Sequence, residues 1–128
     1  FIYITISSLF RVFTDEFLSK LKNNKYERTQ FAKLMEDIEK KIEILMNVEK
    51  LYLKPGFNRA ELAKKLHIHE GHPSYIINNK FKKSFSELVH EYRLRDAEER
   101  LLKTNDQITT ICYDIGFNSL TSFNRVFK

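Results

Sequence analysis

Two copies of one short pattern lie in the second half of this sequence, and they constrain its fold more than any other feature. Residues 62–63 (Leu-Ala) recur as residues 111–112 (Ile-Cys) at an offset of 49, and residues 76–77 (Ile-Ile) recur as residues 126–127 (Val-Phe) at an offset of 50. In each copy, two short apolar stripes at helical spacing flank a break, HIHEGHP in the first and Gly116-Phe117 in the second. The pattern predicts two helix-turn-helix units, and the second has a turn one residue longer.

The residues between the two units also favour a helix. The chain has only 3 Gly and 2 Pro in 128 residues, which is too few for a turn-rich β-fold. An apolar stripe at helical spacing predicts a linker helix from about Ser84 to Lys103, roughly 30 Å long. The stripe consists of Phe85, Leu88, Val89, Tyr92, Ala97, Leu101 and Leu102. Asn58 is a good N-cap for the first unit, with Glu61 at capping-box spacing.

Residues 1–21 form a first zone, which begins with the apolar run FIYITISSLF. This run is shorter than the roughly 20 apolar residues that cross a bilayer, and cationic residues follow it. Two interpretations remain open. The zone is either the cytoplasmic, juxtamembrane end of a membrane helix or an amphipathic N-terminal helix packed on protein.

Residues 22–54 form a second zone, in which the polar stretch 22–28 predicts a break and residues 29–52 predict a connecting helix. Five apolar residues step by four and three along this helix, as in a heptad seam: Phe31, Met35, Ile38, Ile42 and Leu45. Two heptads are few for a coiled coil, so docking on the chain's own domain is favoured over a homodimer through residues 29–52.

Pro55 ends the helix and Gly56 permits a turn into the third zone, 55–128. The predicted fold class is therefore all-α: two helix-turn-helix units joined by a long linker helix and preceded by an extra N-terminal helical segment.

The net charge and the motifs of the sequence limit the possible functions. The net charge of +5 favours polyanions, either nucleic acid or an anionic membrane surface. The single cysteine, Cys112, allows no disulfide within the chain and fits the cytoplasm. His67, His69 and His72 fall at a turn without the cysteines or acidic cluster of a metal site. Since no phosphate-binding loop, paired carboxylates or serine elbow occurs either, the sequence predicts no catalytic residues, no metal and no cofactor.

The stretches AELAKKLHI, SYIINNKFKKSFSELVHEYRLRDAEERLL and QITTICYDIGFNSLTSFNRVFK together resemble the DNA-binding domain of AraC/XylS-type transcription regulators. The resemblance covers residues 57–128 and is most specific over 108–128, where Cys112 replaces the usual alanine. The segment MEDIEKKIEILMNVEKLYLKPGF resembles the region preceding this domain in Bacteroidetes-type regulators, some of which have a membrane region further upstream.

The resemblance implies double-stranded DNA as partner, with RNA polymerase as a further one, and a cytoplasmic location. It also implies a sensor or membrane region before this chain and a final helix after residue 128. Without that helix, we expect the apolar side of Phe123 and Phe127 to be under-covered.

Family correspondence also assigns the DNA-facing residues. In the second unit it places Leu120, Thr121, Ser122 and Arg125 on the groove side, and a guanidinium such as that of Arg125 can bind guanine O6 and N7 together. Phe123, Val126 and Phe127 are expected in the core. In the first unit the base-facing positions are Gly71, His72, Ser74 and Tyr75, with Asn78 toward the backbone. Apart from this correspondence, Lys80, Lys82 and Lys83 in the basic stretch 78–83 are expected to contact phosphates, and so is Thr109 near the start of the second unit's first helix.

The first unit departs from the family pattern at Pro73, where an apolar helix residue is usual. Proline is tolerated only in the first turn of a helix, so the recognition helix should begin at His72 or Pro73. Gly71 offers no side chain to a base. We therefore expect the first unit to be the weaker reader. The alternative function is a protein-interaction or dimerisation module with this fold in which DNA reading has been lost.

Overall fold

A computed structural model describes residues 25–127 of the chain, so the expectations for residues 1–21 lie outside the described residues. Within this range the chain is all-helical, as predicted, with no strand. The helices are α1 (Lys25–Asn47), α2 (Arg59–Leu66), α3 (His72–Phe81), α4 (Phe85–Lys103), α5 (Ile108–Asp114) and α6 (Leu120–Phe127), with a 3-10 turn at Leu51–Leu53. No helix in residues 25–127 is both long enough and apolar enough to cross a membrane.

The helix starts follow local capping signals. Ser84 caps α4 with a complete capping box, in which its hydroxyl accepts from the Glu87 N–H and the Glu87 carboxylate accepts from the Ser84 N–H. Asn58 caps α2 by accepting from the Glu61 N–H at 3.0 Å. The Glu61 carboxylate pairs with Lys54 at 2.9 Å, so the capping box predicted for Asn58 and Glu61 is only half formed.

The predicted bounds of α1 are wrong at both ends. The helix already begins at Lys25, inside the stretch predicted as a break, and ends at Asn47 rather than Tyr52. Lys50, three residues beyond the end of the helix, has a left-handed backbone (φ 53°) and directly precedes the 3-10 turn. Pro55 therefore does not end the helix, whereas Gly56 does occupy a turn with positive φ (75°).

The apolar seam of α1 docks on its own domain, as the sequence favoured. Met35, Ile38, Ile42 and Leu45 are all buried, and Phe31 packs partly buried against the same cluster. This first cluster also contains the apolar residues of α2, α3 and the first half of α4: Leu62, Ala63, Leu66, Ile76, Ile77, Leu88 and Val89. Burial of this kind stabilises a helix far more than its intrinsic propensity does. Helix α1 is therefore an integral part of the first unit's core.

A smaller second cluster holds α5 and α6 against the second half of α4. Its buried residues are Ala97, Ile111, Cys112, Ile115, Phe117 and Phe123, and Val126 packs partly buried against them. Leu101 (39%) and Leu102 (87%), expected on the apolar stripe of the linker helix, are instead exposed, and so is Ile108 (43%) at the start of α5. All three lie at or near the corner between α4 and α5. Phe127 was expected both in the core and to be under-covered, and it is 39% exposed, whereas Phe123 is fully buried and the expectation that it is under-covered is wrong.

The buried charged side chain of Arg93 connects the two clusters, and no local pattern in the sequence predicts its burial. From the middle of α4, Arg93 Nε donates to the Tyr52 carbonyl at 2.8 Å and Nη2 donates to the Lys54 carbonyl at 3.1 Å. Its guanidinium carbon also lies 5.3 Å from the centre of the Phe117 ring. Burial lowers the pKa of the Arg93 guanidinium. Arg93 thus joins the turn after α1 to the turn of the second unit.

Candidate nucleic-acid interface

Helix α6 presents one polar face to solvent because its opposite face is fixed in the second cluster. The Ser119 hydroxyl accepts from the Ser122 N–H at 3.1 Å at the start of the helix. Phe123 is fully buried and packs edge-on against Phe117, with ring centres 5.4 Å apart. Because Phe123 is anchored in this way, the side chains on the opposite face of α6 point toward solvent.

The four residues predicted to face DNA in the second unit differ in accessibility. Thr121 and Arg125 are exposed, and within residues 25–127 no carboxylate pairs with the Arg125 guanidinium. The Ser122 hydroxyl is half-buried, at 2.9 Å from the Ser119 hydroxyl. Leu120 packs partly buried against the second cluster. Of these four side chains, those of Arg125 and Thr121 are therefore the most available to a ligand.

Helix α3 begins at His72, with Pro73 in its first turn, as the sequence predicted. Pro73 is fully buried and corresponds to Phe123 at the offset of 50 residues, so it fills a core position despite its unusual type. At the same offset Tyr75 corresponds to Arg125, and its side chain is 46% exposed. The first unit therefore presents a phenol where the second presents a guanidinium.

The other residues predicted to face DNA in the first unit are less available. Gly71 is exposed and its N–H donates to His69 Nδ1 at 3.2 Å. His72 is half-buried and lines a small apolar pocket between α1 and α3, with its ring centre 5.7 Å from that of His69. Asn78 is exposed. Ser74 is half-buried, and its hydroxyl lies 3.1 Å from Nη1 of Arg59. Arg59 was not among the residues predicted from the sequence.

The lysines predicted to contact phosphates do not form one free basic patch. Lys80 lies 3.5 Å from the Glu39 carboxylate of α1, and Lys83 pairs with Glu91 of α4. Lys82 is exposed and ends α3 in a left-handed conformation (φ 56°). Thr109 is exposed in the first turn of α5. Lys82 and Thr109 are therefore more accessible to a phosphate than Lys80 or Lys83.

Two titratable side chains near the second unit, those of Cys112 and His90, pack against its apolar residues. Cys112 is fully buried, and burial raises the pKa of its thiol, which disfavours the nucleophilic thiolate. His90 stacks on Phe117, and burial together with the Arg93 charge lowers the pKa of its imidazole. Among residues 25–127, no group of three or more His, Cys, Asp or Glu residues could hold a metal ion.

Comparisons with known proteins agree with this arrangement of helices. A sequence family described as a helix-turn-helix domain, of AraC type, matches residues 62–128, just over half of the chain. The C-terminal domain of the two-component response regulator YesN from Fusobacterium nucleatum subsp. nucleatum ATCC 25586 is similar in structure. It is 26% identical with a TM-score of 0.61, and the match covers 70% of this chain and 93% of that domain.

A second solved structure, a protein of unknown function from Listeria innocua, shares the fold. It is 24% identical with a TM-score of 0.58, and the match covers 67% of this chain and 81% of that one. No curated protein matches the sequence significantly. The family match and the helix arrangement agree with the resemblance noted from the sequence. The chain belongs to the AraC-type helix-turn-helix family of DNA-binding transcription regulators.

Proposed function

We propose that this chain binds specific duplex DNA with two helix-turn-helix units that enter successive major grooves, α3 leading in the first unit and α6 in the second. The observation that carries the proposal is the two-sided character of α6. Its inner face is fixed by fully buried Phe123, while Arg125 extends from the exposed face without an ion-pair partner in residues 25–127. In a helix-turn-helix, the second helix of the pair enters the major groove.

The length of α4 supports simultaneous binding by both units. The helix has 19 residues, which is about 28 Å at 1.5 Å per residue. Successive major grooves on one face of a duplex are roughly 34 Å apart. Buried Arg93 adds stiffness because it connects the middle of α4 to the turn after α1. A single chain could then contact both grooves without dimerising.

The two units would contribute unequally. Arginine is the residue that most often makes a specific contact with guanine, through two hydrogen bonds to O6 and N7. The second unit offers Arg125 and Thr121 on its exposed face, whereas the first offers Tyr75 and a glycine at position 71. We therefore assign most of the sequence discrimination to the second unit.

Control of binding would come from upstream of the described residues. The similar Fusobacterium domain is the C-terminal domain of a two-component response regulator, which fits a DNA-binding domain that follows a sensing or receiving region. The core position of α1 gives such a region a direct mechanical connection to the first unit. RNA polymerase is the expected partner once the domain is bound to DNA. The proposed location is the cytoplasm.

The alternative, a dimerisation module, has less structural support. The apolar seam that would pair two copies of α1 is occupied, since Met35, Ile38, Ile42 and Leu45 are buried in the chain's own first cluster. A dimer through this seam would have to remove α1 from the first unit and expose that cluster. The structure therefore favours DNA binding as the main role.

A selection of binding sites from random duplex DNA tests the proposal. The wild-type chain should enrich a motif of about two helical turns. Arg125→Ala should blur the half bound by the second unit, because one base contact is worth about 1–3 kcal/mol of discrimination. Lys33→Ala, which removes an exposed charge from α1, is the control and should enrich the wild-type motif. Binding without any enrichment, or an unchanged motif for Arg125→Ala, would contradict the proposal.

A further inference from the structure

The first unit carries an arginine that bridges its two helices on the outside of the domain. Arg59 is the first residue of α2, and its side chain is exposed. Its Nη1 donates to the Ser74 hydroxyl at 3.1 Å, and Ser74 lies in the first turn of α3. The guanidinium therefore lies where the start of α2 meets the start of α3. The base-facing positions predicted for the first unit begin at this same end of α3.

The positive charge of Arg59 is not neutralised by the protein around it. Within residues 25–127, Ser74 is its hydrogen-bonding partner and no carboxylate forms an ion pair with it. Glu61, two residues further along α2, is bound to Lys54 instead. By contrast, Lys80 and Lys83 at the other end of α3 are paired with Glu39 and Glu91. Arg59 is thus a cation held in position by a neutral partner, with the rest of its donors available.

Comparison of the two units shows that their arginines lie at different places. At the offset of 49 residues, Arg59 corresponds to Ile108, which carries no charge at the start of α5. At the offset of 50, Tyr75 of the first unit corresponds to Arg125 of the second. Each unit therefore has one exposed arginine without an ion-pair partner in residues 25–127. In the first unit this arginine lies on α2, the first helix of the pair, and in the second unit it lies on α6, the helix proposed to enter the groove.

We infer that Arg59 is a DNA-binding residue that contacts a backbone phosphate and makes the first unit an anchor, while the second unit reads the sequence. This inference rests on the proposed function. In helix-turn-helix docking the first helix of the pair crosses the phosphate backbone, so a guanidinium at the start of α2 meets phosphates rather than base edges. Guanidinium donors match phosphate oxygens well. Such a contact adds affinity and fixes register but carries no sequence information.

The test measures affinity against salt concentration on two probes of equal length: the duplex enriched by the wild-type chain and a random-sequence duplex. Arg59→Ala should weaken both by the same factor and reduce the slope of log affinity against log salt by about 0.9, the contribution of one phosphate contact. Arg59→Gln, a second uncharged variant, should behave alike, and Arg59→Lys should restore the slope. Lys33→Ala is the control for loss of one positive charge and should leave the slope unchanged. Thermal melting of each variant checks that it is folded.

Two results would overturn the inference: an unchanged salt slope in both uncharged variants, or a loss confined to the enriched duplex, which would make Arg59 a base reader. The random-sequence duplex keeps this test separate from that of the proposed function. If the wild-type chain enriches no motif, specific reading fails, yet the slope on random DNA still decides the role of Arg59. If a motif is enriched and the slopes do not differ, the inference about Arg59 alone is wrong. No binding to either duplex would overturn both.

Discussion

Arg93 carries a charge in the interior of this domain because three remote groups compensate it. Two of its nitrogens donate to the carbonyls of Tyr52 and Lys54, and the ring of Phe117 lies against the guanidinium. Hydrogen bonds that involve a charged group contribute more than neutral ones, and removing one partner leaves the other unsatisfied. Gly116 completes the junction, with φ 104° and no side chain to interfere with Arg93.

We predict that Gly116→Ala destabilises the domain much more than Gly56→Ala, its matched control. Both glycines have positive φ, so both substitutions introduce backbone strain of about 1–2 kcal/mol. A Cβ at position 56 meets no atom within 4 Å, whereas one at position 116 would lie 2.5 Å from the Tyr52 carbonyl oxygen and 2.9 Å from Arg93 Nε. The added overpacking should bring the loss for Gly116→Ala to about 3 kcal/mol or more.

Urea denaturation of the two glycine variants measures this difference directly. A loss for Gly116→Ala no larger than that for Gly56→Ala would show that the junction around Arg93 is loose, and that Arg93 does not hold the two clusters together.

The limits of the sequence are clearest for residues whose partners are remote. The caps Asn58 and Ser84 were predictable because each bonds to the backbone three residues later. The burial of Arg93 was not, since its acceptors lie 39 and 41 residues upstream. Lys80 and Lys83 were expected on DNA for the same reason: the carboxylates that pair with them come from other helices, which no local pattern reveals.

At the scale of elements, α1 decides whether the first unit has a complete core. Its buried residues contact α2 and α3 of the same chain. The heptad spacing correctly predicted which face of α1 is apolar. It could not say whether that face meets another copy or the same chain, because both partners require the same stripe. The end of α1 was also missed, because the helix ends at Asn47 and neither glycine nor proline marks that position in the sequence.

We predict that Ile42→Ala lowers the free energy of unfolding by about 2–4 kcal/mol, as expected for a large-to-small change in a packed core. Ile42 is fully buried, whereas Ile44 on the same helix is 55% exposed. Ile44→Ala is therefore the control and should change stability by less than about 1 kcal/mol. Similar small effects for both variants, measured by urea denaturation at two protein concentrations, would mean that α1 is not part of the domain core.

At the scale of the molecule, two units of similar helix pattern are joined by α4 but carry different exposed side chains. The pattern repeat predicted the two units and the linker helix, and the structure has helices at all these places. It did not predict that Leu101, Leu102 and Ile108 would be exposed near the corner between α4 and α5. The repeat also did not predict where each unit carries its exposed arginine without an ion-pair partner in residues 25–127, which is α2 in the first unit and α6 in the second.

A hydroxyl-radical footprint on the enriched duplex tests whether one chain places two units in successive major grooves. Binding stoichiometry should be measured on the same sample by sedimentation. We expect one chain per duplex and two clusters of protected sugars on one face, roughly 34 Å apart. A single protected cluster, or two clusters that require two chains, would show that one chain does not span both grooves.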